Sequence, residues 1–268
     1  MAIRARALIL MIGVDDSGQV LSRADAESAW PWLTVHWQLT PPEQGCYVQW
    51  MPDDGLSLKS VESGDRSSLR VDYQRGPQAR RIHAVTGELL TRALGCQQGR
   101  RPAIFDATFG IGHDSTVLAN VGCYVSGCES NPIVAALAAD GLRRSVNEPW
   151  INRIQFQYRD ALSVLPEVPS GVIYIDPMFQ ERRRAAPSME MQFMHRLMPN
   201  AARGDSLLEA ALTSGAARIV VKRSPKAPVL AGRVPSTMMH GKAVRFDIYP
   251  LRKVTPEDCQ PWWIEQQR

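Results

Sequence analysis

Long apolar runs are missing from this sequence of 268 residues. A membrane-spanning helix needs about 20 consecutive apolar residues, and no segment approaches that length, so the sequence predicts no membrane partner. The short run over residues 7–14 ends at Asp15 and Asp16 and has no small-residue cleavage site after it, so we interpret it as a strand rather than a signal peptide. The apolar content of 44% and the charged content of 22% are typical of a soluble globular protein.

Cysteine is scarce, and its positions form no pattern. The five cysteines lie at positions 46, 96, 123, 128 and 259. An odd number of scattered cysteines does not make a disulfide framework, and Cys123 and Cys128 lack the second pair that a structural zinc site needs. We therefore predict no metal site and expect small, buried thiols in a reducing cytoplasm.

Basic residues are few in the first part of the chain. Residues 1–65 contain four basic residues against nine acidic ones, whereas residues 218–253 contain nine basic residues against Asp247 alone. The net charge of +4 hides this asymmetry. A cationic surface on the second part suits a polyanionic partner, although a solvated basic face is also a common cause of such a composition.

The pattern of apolar residues divides the chain into two regions. Residues 1–70 contain strand-like segments separated by turns such as Pro41-Pro42, which predicts a small β-rich N-terminal lobe. Over residues 71–268, apolar strands alternate with helices, and this order predicts a doubly wound, Rossmann-like α/β sheet. The strands are predicted at 103–107, 122–128, 154–158, 172–175, 218–221 and 244–249, and the helices at 84–94, 114–119, 131–144, 188–197 and 206–213.

A glycine-containing loop follows the first strand of the second region. It reads Asp106-Ala-Thr-Phe-Gly110-Ile-Gly112-His-Asp114. Asp-x-x-x-Gly-x-Gly at a strand-to-helix turn is the nucleotide-binding loop of enzymes that use S-adenosylmethionine, because glycines let the backbone pass close to the ligand. A third glycine is missing at Ser115, so this loop is not the dinucleotide fingerprint.

Acidic side chains follow the next two strands. Glu129 ends one of them, where a carboxylate can accept hydrogen bonds from the hydroxyls of a ribose. Asp160 follows the other, at a position that often contacts the adenine amino group in such enzymes. Because the carboxyl ends of parallel strands lie at one sheet edge, these side chains and the glycine loop converge there. The sequence therefore predicts S-adenosylmethionine as the cofactor.

The segment Asp176-Pro177-Met178-Phe179 directly follows the buried run Val172–Ile175. It resembles the Asp/Asn/Ser-Pro-Pro-Tyr/Phe loop of methyltransferases that modify exocyclic amines of nucleobases. In such a loop a polar acceptor and a backbone carbonyl orient the amine, and an aromatic side chain stacks on the base for about 1–3 kcal/mol. We therefore predict catalytic roles for Asp176, Pro177 and Phe179. Taken alone, the same residues also fit an ordinary strand-ending turn.

Several segments together resemble the ribosomal small-subunit RNA methyltransferase J family, whose members methylate the N2 amine of a guanine in 16S rRNA. The matching segments are Asp106–Asp114, Leu118–Cys123, Glu129–Leu137, Tyr174–Phe179, Val220–Arg223 and Arg245–Tyr249. Asp-Pro-Met-Phe, in place of Asp-Pro-Pro-Tyr, is a specific feature of that family. The resemblance implies a class I methyltransferase sheet and methyl transfer to 16S rRNA, free or in a small ribosomal subunit particle.

The same resemblance implies which residues contact the cofactor. Added to the loop residues Asp106, Gly110 and Gly112, the implied contacts are His113, Asp114, Glu129, Ser130, Asp160, Ala161 and Asp176. This chain departs from the family at two of these places. The family usually has Arg-Asp where this chain has His113-Asp114, and a pair of serines where it has Asp160-Ala161. An aspartate at 160 can still accept a hydrogen bond from adenine.

Basic residues near the predicted site are candidates for contact with an RNA backbone. The candidates are Arg182, Arg183, Arg184, Lys222 and Arg223, and Arg80, Arg81 and His83 could face either RNA or the cofactor. A solvated basic loop is the alternative interpretation of each group.

Two other functions stay open at this point. One is an S-adenosylmethionine enzyme that acts on adenine N6 or on a protein glutamine, and the other is a catalytically silent RNA-binding assembly factor. Asp176 and Met178 favour the guanine enzyme, while the glycine loop with Glu129 argues against the silent factor.

Overall fold

A computed structural model describes residues 9–12, 36–37, 46–51, 55–60, 67–84, 88–97, 99–177, 189–197 and 203–263. The strands are β1 (Ile9–Ile12), β2 (His36–Trp37), β3 (Cys46–Met51), β4 (Gly55–Ser60), β5 (Ser68–Arg70), β6 (Ile104–Asp106), β7 (Val125–Glu129), β8 (Ile154–Tyr158), β9 (Val172–Ile175), β10 (Arg218–Arg223), β11 (Thr237–His240) and β12 (Arg245–Pro250). The α-helices are α1 (Gly76–His83), α2 (Leu89–Ala93), α3 (His113–Asn120), α4 (Pro132–Arg144), α5 (Met189–Leu197) and α6 (Gly204–Leu212). Within these ranges no helix has the length and apolar character to cross a bilayer.

The larger sheet has seven strands in the order β11-β12-β10-β9-β6-β7-β8. Its five strands from β8 to β10 are parallel, and helices separate them along the chain. The predicted doubly wound α/β fold is therefore confirmed. The sequence did not indicate that β12 runs antiparallel to both β10 and β11 at one edge of this sheet.

The sequence explains why the central strands lie inside. All four residues of β9 are buried, as expected for a strand that is covered on both faces. The following helices have local start signals: α4 begins at Pro132, and the Asn131 side chain accepts hydrogen bonds from the backbone N–H groups of Ile133 and Val134. These elements form where the sequence predicts them.

Some element boundaries differ from the prediction. The helix expected over 84–94 is wrong at its start, because Ala84 ends α1 and α2 begins at Leu89. Helix α1 itself was not predicted, although Gly76-Pro77 is a start signal with proline in the first turn. Strand β11 was also missed, because three of its four residues are exposed and give no apolar alternation.

The chain reverses direction across the sheet between β6 and β9. It builds outward from β6 through β7 and β8, then crosses back to place β9 on the other side of β6. This topological switch point opens a crevice at the carboxyl ends of the strands, where α/β sheets bind ligands. Asp106 and Glu129 end β6 and β7, and Asp176 follows β9, so the three predicted site residues lie at that edge.

The N-terminal strands form a second sheet in the order β2-β1-β3-β4-β5. Strand β1 is parallel to β2 and β3, whereas β3, β4 and β5 pair antiparallel. Its buried residues Val48, Leu56 and Leu58 belong to the same hydrophobic cluster as Leu137 of α4. The predicted β-rich lobe thus packs directly on the second region, and the division at residue 70 stays a prediction.

Asp140 of α4 connects the two sheets. Its carboxylate is fully buried and accepts hydrogen bonds from the Leu56 backbone N–H at 2.9 Å, from Arg144 Nε at 2.8 Å and from Arg143 Nη2 at 2.9 Å. Arg144 in turn donates to the carbonyl oxygen of Val71, beyond β5. The buried carboxylate therefore satisfies a backbone donor of the N-terminal sheet.

We expect Asp140→Ala to lower the free energy of unfolding by about 3 kcal/mol, because it leaves the Leu56 N–H and the Arg144 guanidinium without their buried acceptor. Urea unfolding followed by circular dichroism measures this change. Glu167→Ala, at an exposed carboxylate, serves as the control and should stay within about 0.5 kcal/mol of the wild type. Equal stabilities for the two variants would contradict the assigned role of Asp140.

Candidate active site

Asp106 shapes the glycine loop from below. Its buried carboxylate accepts hydrogen bonds from Ser115 Oγ at 2.6 Å and from the Thr108 backbone N–H at 3.0 Å. Burial raises the pKa of this carboxyl to about 7, against the opposing effect of these hydrogen bonds. Asp106, which was predicted to contact the cofactor, therefore has hydrogen-bond partners in the loop and in the first turn of α3.

The two loop glycines occupy left-handed backbone conformations, with φ of +55° at Gly110 and +73° at Gly112. A Cβ at Gly112 would lie 2.6 Å from Phe109 Cε1 and 2.7 Å from the Tyr73 hydroxyl, so a side chain has no room there. At Gly110 the nearest atoms to an added Cβ would be 3.8 Å away. Gly110 is partly exposed, and a Cβ there would make only ordinary contacts, whereas one at Gly112 would clash.

Glu129 lies beside Gly110 at the end of β7. Its carboxylate accepts the Gly110 N–H at 3.1 Å and the Asn131 N–H at 2.7 Å. Burial raises the pKa of this carboxyl, and the hydrogen bonds from the backbone oppose that effect. Ser130, the next residue, is exposed at the same edge. The Glu129 side chain, which was predicted to bind ribose, is therefore held next to Gly110 by two backbone N–H groups.

Asp160 and Ala161 follow β8 at the far side of this edge. The Asp160 carboxylate caps a short 3-10 helix by accepting a hydrogen bond from the Leu162 N–H at 3.0 Å. It also accepts a hydrogen bond from Arg203 Nη2 at 2.7 Å. Arg203, which directly precedes α6, was not predicted to take part. Ala161 is buried beneath Asp160. Asp160 stands where the family that the motifs resemble usually has a serine, and it is paired with the cation Arg203.

Asp176 lies between β9 and the glycine loop. Its backbone N–H donates to Thr108 Oγ1 at 2.7 Å, and its side chain is 37% exposed. The next residue, Pro177, is buried against α6, which comes close because a Cβ at Gly204 would already lie 3.1 Å from the proline ring. The first two residues of the predicted catalytic loop are therefore fixed on both sides. Phe179 lies outside the described residues, as do Arg182, Arg183 and Arg184.

A chain of charged groups connects Asp176 to helix α1. Lys222 Nζ is 2.7 Å from Asp176 Oδ2 and 2.8 Å from Asp114 Oδ2. Asp114 Oδ2 also accepts the Tyr174 hydroxyl at 2.6 Å, and Arg81 Nη2 lies 2.6 Å from Asp114 Oδ1. We call these five residues, Arg81, Asp114, Tyr174, Asp176 and Lys222, the acid–base chain.

The environment changes the pKa of each carboxyl in this chain differently. Burial would raise the pKa of Asp114, but Lys222 and Arg81 outweigh burial and hold it well below its usual range. Burial raises the pKa of Asp176, Lys222 opposes that shift, and the nearby Asp114 adds to it. The pKa of Lys222 is raised because its two carboxylate partners outweigh the effect of burial.

The geometry changes the interpretation of the predicted RNA contacts in β10. Lys222 is engaged by two carboxylates and is 26% exposed, so its charge is largely compensated within the site. Arg223 is only 3% exposed and donates to the carbonyl oxygen of Pro228, in a strand whose two faces are both covered. Its predicted phosphate contact does not fit this buried position.

His113 stands where the family that the sequence motifs resemble usually has an arginine. It is the first residue of α3, and its Nδ1 lies 3.4 Å from Glu190 Oε1 of α5. Burial lowers the pKa of this imidazole, although the neighbouring carboxylates Glu190 and Asp114 favour the protonated form. His113 thus joins α5 to the cofactor loop.

Comparison with known proteins places the chain in a family. A family model described as a putative SAM-dependent methyltransferase matches residues 32–251. The ribosomal RNA small subunit methyltransferase J of Dechloromonas aromatica is 39% identical over 220 residues, which cover 78% of this chain and 90% of the relative. The protein of the same name from Pseudomonas paraeruginosa is 35% identical over 245 residues, or 87% and 94% of the two chains.

The chain belongs to the ribosomal RNA small subunit methyltransferase J family. It is an S-adenosylmethionine-dependent methyltransferase. A crystal structure of the SAM-dependent methyltransferase NGO1261 from Neisseria gonorrhoeae matches with a TM-score of 0.70 at 29% identity, covering 92% of this chain and 98% of that one. The resemblance inferred from the sequence motifs is therefore confirmed.

The residues at the sheet edge fit the nucleoside part of S-adenosylmethionine. Gly110 is partly exposed, the Glu129 carboxylate lies beside it, and Asp160 stands just beyond the end of the next strand. A carboxylate and an exposed loop backbone are the groups that a ribose diol requires. We expect Gly110, Glu129 and Asp160 to hold the cofactor in this family member.

We expect Glu129→Ala to weaken S-adenosylmethionine binding by about tenfold or more, because a hydrogen bond to a charged acceptor contributes about 1.5–3 kcal/mol. Isothermal titration calorimetry with S-adenosylhomocysteine avoids turnover and measures the dissociation constant. Glu167→Ala is again the control, and circular dichroism checks that Glu129→Ala is folded. An unchanged dissociation constant for Glu129→Ala would remove this residue from the cofactor site.

Proposed function

We propose that this methyltransferase modifies the exocyclic N2 amine of a guanine in 16S rRNA. The observation that supports this most strongly is the carboxylate of Asp176, which is held by Lys222 at the switch point beside the glycine loop and is followed by Pro177. The relatives named ribosomal RNA small subunit methyltransferase J support small-subunit rRNA as the substrate. The site of action would be the cytoplasm, on free rRNA or on a small-subunit particle.

The guanine amine is a poor nucleophile because its lone pair is delocalised into the ring. When bound, S-adenosylmethionine supplies an electrophilic methyl group on a sulfonium. The Asp176 carboxylate and the Pro177 carbonyl oxygen accept hydrogen bonds from the amine, which orients its lone pair and lowers the barrier through positioning. As the amine is methylated it becomes acidic, and Asp176 takes the proton that it loses and passes it to solvent. Phe179 would stack on the base.

Helix α1 offers an RNA contact surface next to this site. Arg75, Arg80 and His83 are exposed around an open depression of about 620 Å³. Helix α1 is joined to the end of the glycine loop, since Gln78 Nε2 donates a hydrogen bond to the His113 carbonyl oxygen at 2.7 Å. Cationic side chains at this position suit the phosphates on either side of a target base.

Asp176→Ala should lower kcat by about a hundredfold or more. The amine loses the carboxylate that orients it by accepting a hydrogen bond, and it also loses the base that takes its proton. Tritium transfer from labelled S-adenosylmethionine to unmethylated 16S rRNA, naked and in particles, measures this loss, and nucleoside analysis identifies the product. The dissociation constant for S-adenosylhomocysteine should change much less than kcat.

N2-methylguanosine as the labelled product would support the proposal. Label in N6-methyladenosine or in protein would overturn the assigned base and keep the methyltransferase site. Full activity of Asp176→Ala would remove Asp176 from the mechanism.

Reversing the charge of Arg75 or of Arg80 to Glu, one at a time, should weaken RNA binding by about tenfold and reduce its salt dependence, because fewer counterions are released. Arg100→Glu is the matched control, because this exposed arginine precedes β6 at the opposite edge of the sheet. Filter binding at several salt concentrations gives both quantities. An equal loss for Arg100→Glu would argue for a general effect of net charge.

A further inference from the structure

Lys222 lies where the parallel register brings β10 alongside the end of β9. Val221 pairs with Ile175, so the next residue of each strand, Lys222 and Asp176, meet at the sheet edge. The two side chains approach to 2.7 Å, and the same ammonium reaches Asp114 at 2.8 Å. One cation therefore serves two carboxylates that would otherwise repel each other.

Asp114 is held in place from several directions. The Tyr174 hydroxyl and Arg81 contact its two oxygens, and Arg81 is itself oriented by Glu88, with both contacts at 3.2 Å. Because these contacts hold the Asp114 carboxylate, it limits where the Lys222 ammonium can lie. The ammonium in turn limits the orientations open to the Asp176 carboxylate, whose side chain is partly exposed.

We propose that Lys222 is a positioning residue of the methyl transfer, which holds the Asp176 carboxylate toward the acceptor amine, and that Asp114 and Arg81 set the position of Lys222. This role differs from a phosphate contact, because the Lys222 ammonium already donates hydrogen bonds to the carboxylates of Asp114 and Asp176. The inference rests on the proposed function, since it assigns Asp176 as the group that receives the amine.

The charge balance around Asp176 gives the proposal a measurable consequence. The groups that face it are Lys222 from β10, Asp114 from α3, Arg81 from α1, Asp106 from β6 and Tyr174 from β9. Lys222 is the group that donates hydrogen bonds to its carboxylate among the described residues. Without Lys222, Arg81 is the cation left to oppose burial and the neighbouring carboxylates, so the pKa of Asp176 rises further.

The sign of the effect on catalysis follows. A protonated Asp176 can neither accept the amine proton nor accept two hydrogen bonds as a carboxylate does, so kcat falls as pH drops through its pKa. In Lys222→Met this fall should begin at higher pH than in the wild type, so that kcat is lower than the wild-type value at every pH on the acidic limb. Lys222→Arg, which keeps a cation, should restore the position of the acidic limb. Asp114→Asn, which removes the neighbouring negative charge, should move the limb to lower pH.

The experiment measures kcat against pH for the wild type and these three variants, at saturating S-adenosylmethionine and 16S rRNA. The KM for RNA and the S-adenosylhomocysteine dissociation constant are measured alongside, and we expect the RNA KM of Lys222→Met to stay within about threefold of the wild type. A direct readout is the carbon-13 resonance of the Asp176 carboxyl, assigned with Asp176→Asn, whose titration should shift in the same directions. Opposite shifts for Lys222→Met and Asp114→Asn are an outcome that general loss of structure does not produce.

Two results would overturn the inference. One is an acidic limb and carbon-13 titration that stay unchanged in Lys222→Met, and the other is a loss confined to the RNA KM, which would assign Lys222 to phosphate binding. If the wild type forms no N2-methylguanosine, the proposed function fails instead. The carbon-13 titration then still reports whether Lys222 controls Asp176.

Discussion

The buried carboxylate of Asp114 is the interaction on which the geometry of this site depends. It lies at the start of α3, directly after the glycine loop, and meets side chains from α1, β9 and β10. Burying a carboxylate is costly unless it is paired and hydrogen-bonded, and here a hydroxyl and two cations meet that requirement. Since each partner comes from a different element, this one group holds α1, β9 and β10 together around the start of α3.

The site separates two tasks along the sheet edge. On one side of β6, Gly110, Glu129 and Asp160 form a region of backbone and carboxylate acceptors suited to a nucleoside. On the other side, Asp176 faces a region of compensated charge, where Lys222 and Arg81 balance the acids. The reversal of chain direction between β6 and β9 creates both regions at once. A donor and an acceptor of a methyl group can therefore meet above β6.

Much of this arrangement could be predicted from the sequence, for physical reasons. Glu129 and Asp176 were predicted because each follows a strand whose continuous burial shows in its apolar residues. The role of Lys222 was not, because its partners lie 108 and 46 residues away and local sequence does not reveal such pairs. The burial of Arg223 was missed because a basic residue at a strand end suggests solvent. Strand β11 has no apolar alternation, and so gives no signal of pairing.

Helix α4 has a consequence for how this protein can vary. One face of it packs under the Rossmann-like sheet, while Asp140 and Leu137 meet the N-terminal strands. The two sheets are thus not interchangeable modules, although their topologies are distinct. A chimera that exchanged the N-terminal lobe for that of another protein would have to preserve the backbone donor opposite Asp140. Exchange of the N-terminal lobe between distant family members is therefore limited by the contacts of α4, more than by the predicted division at residue 70.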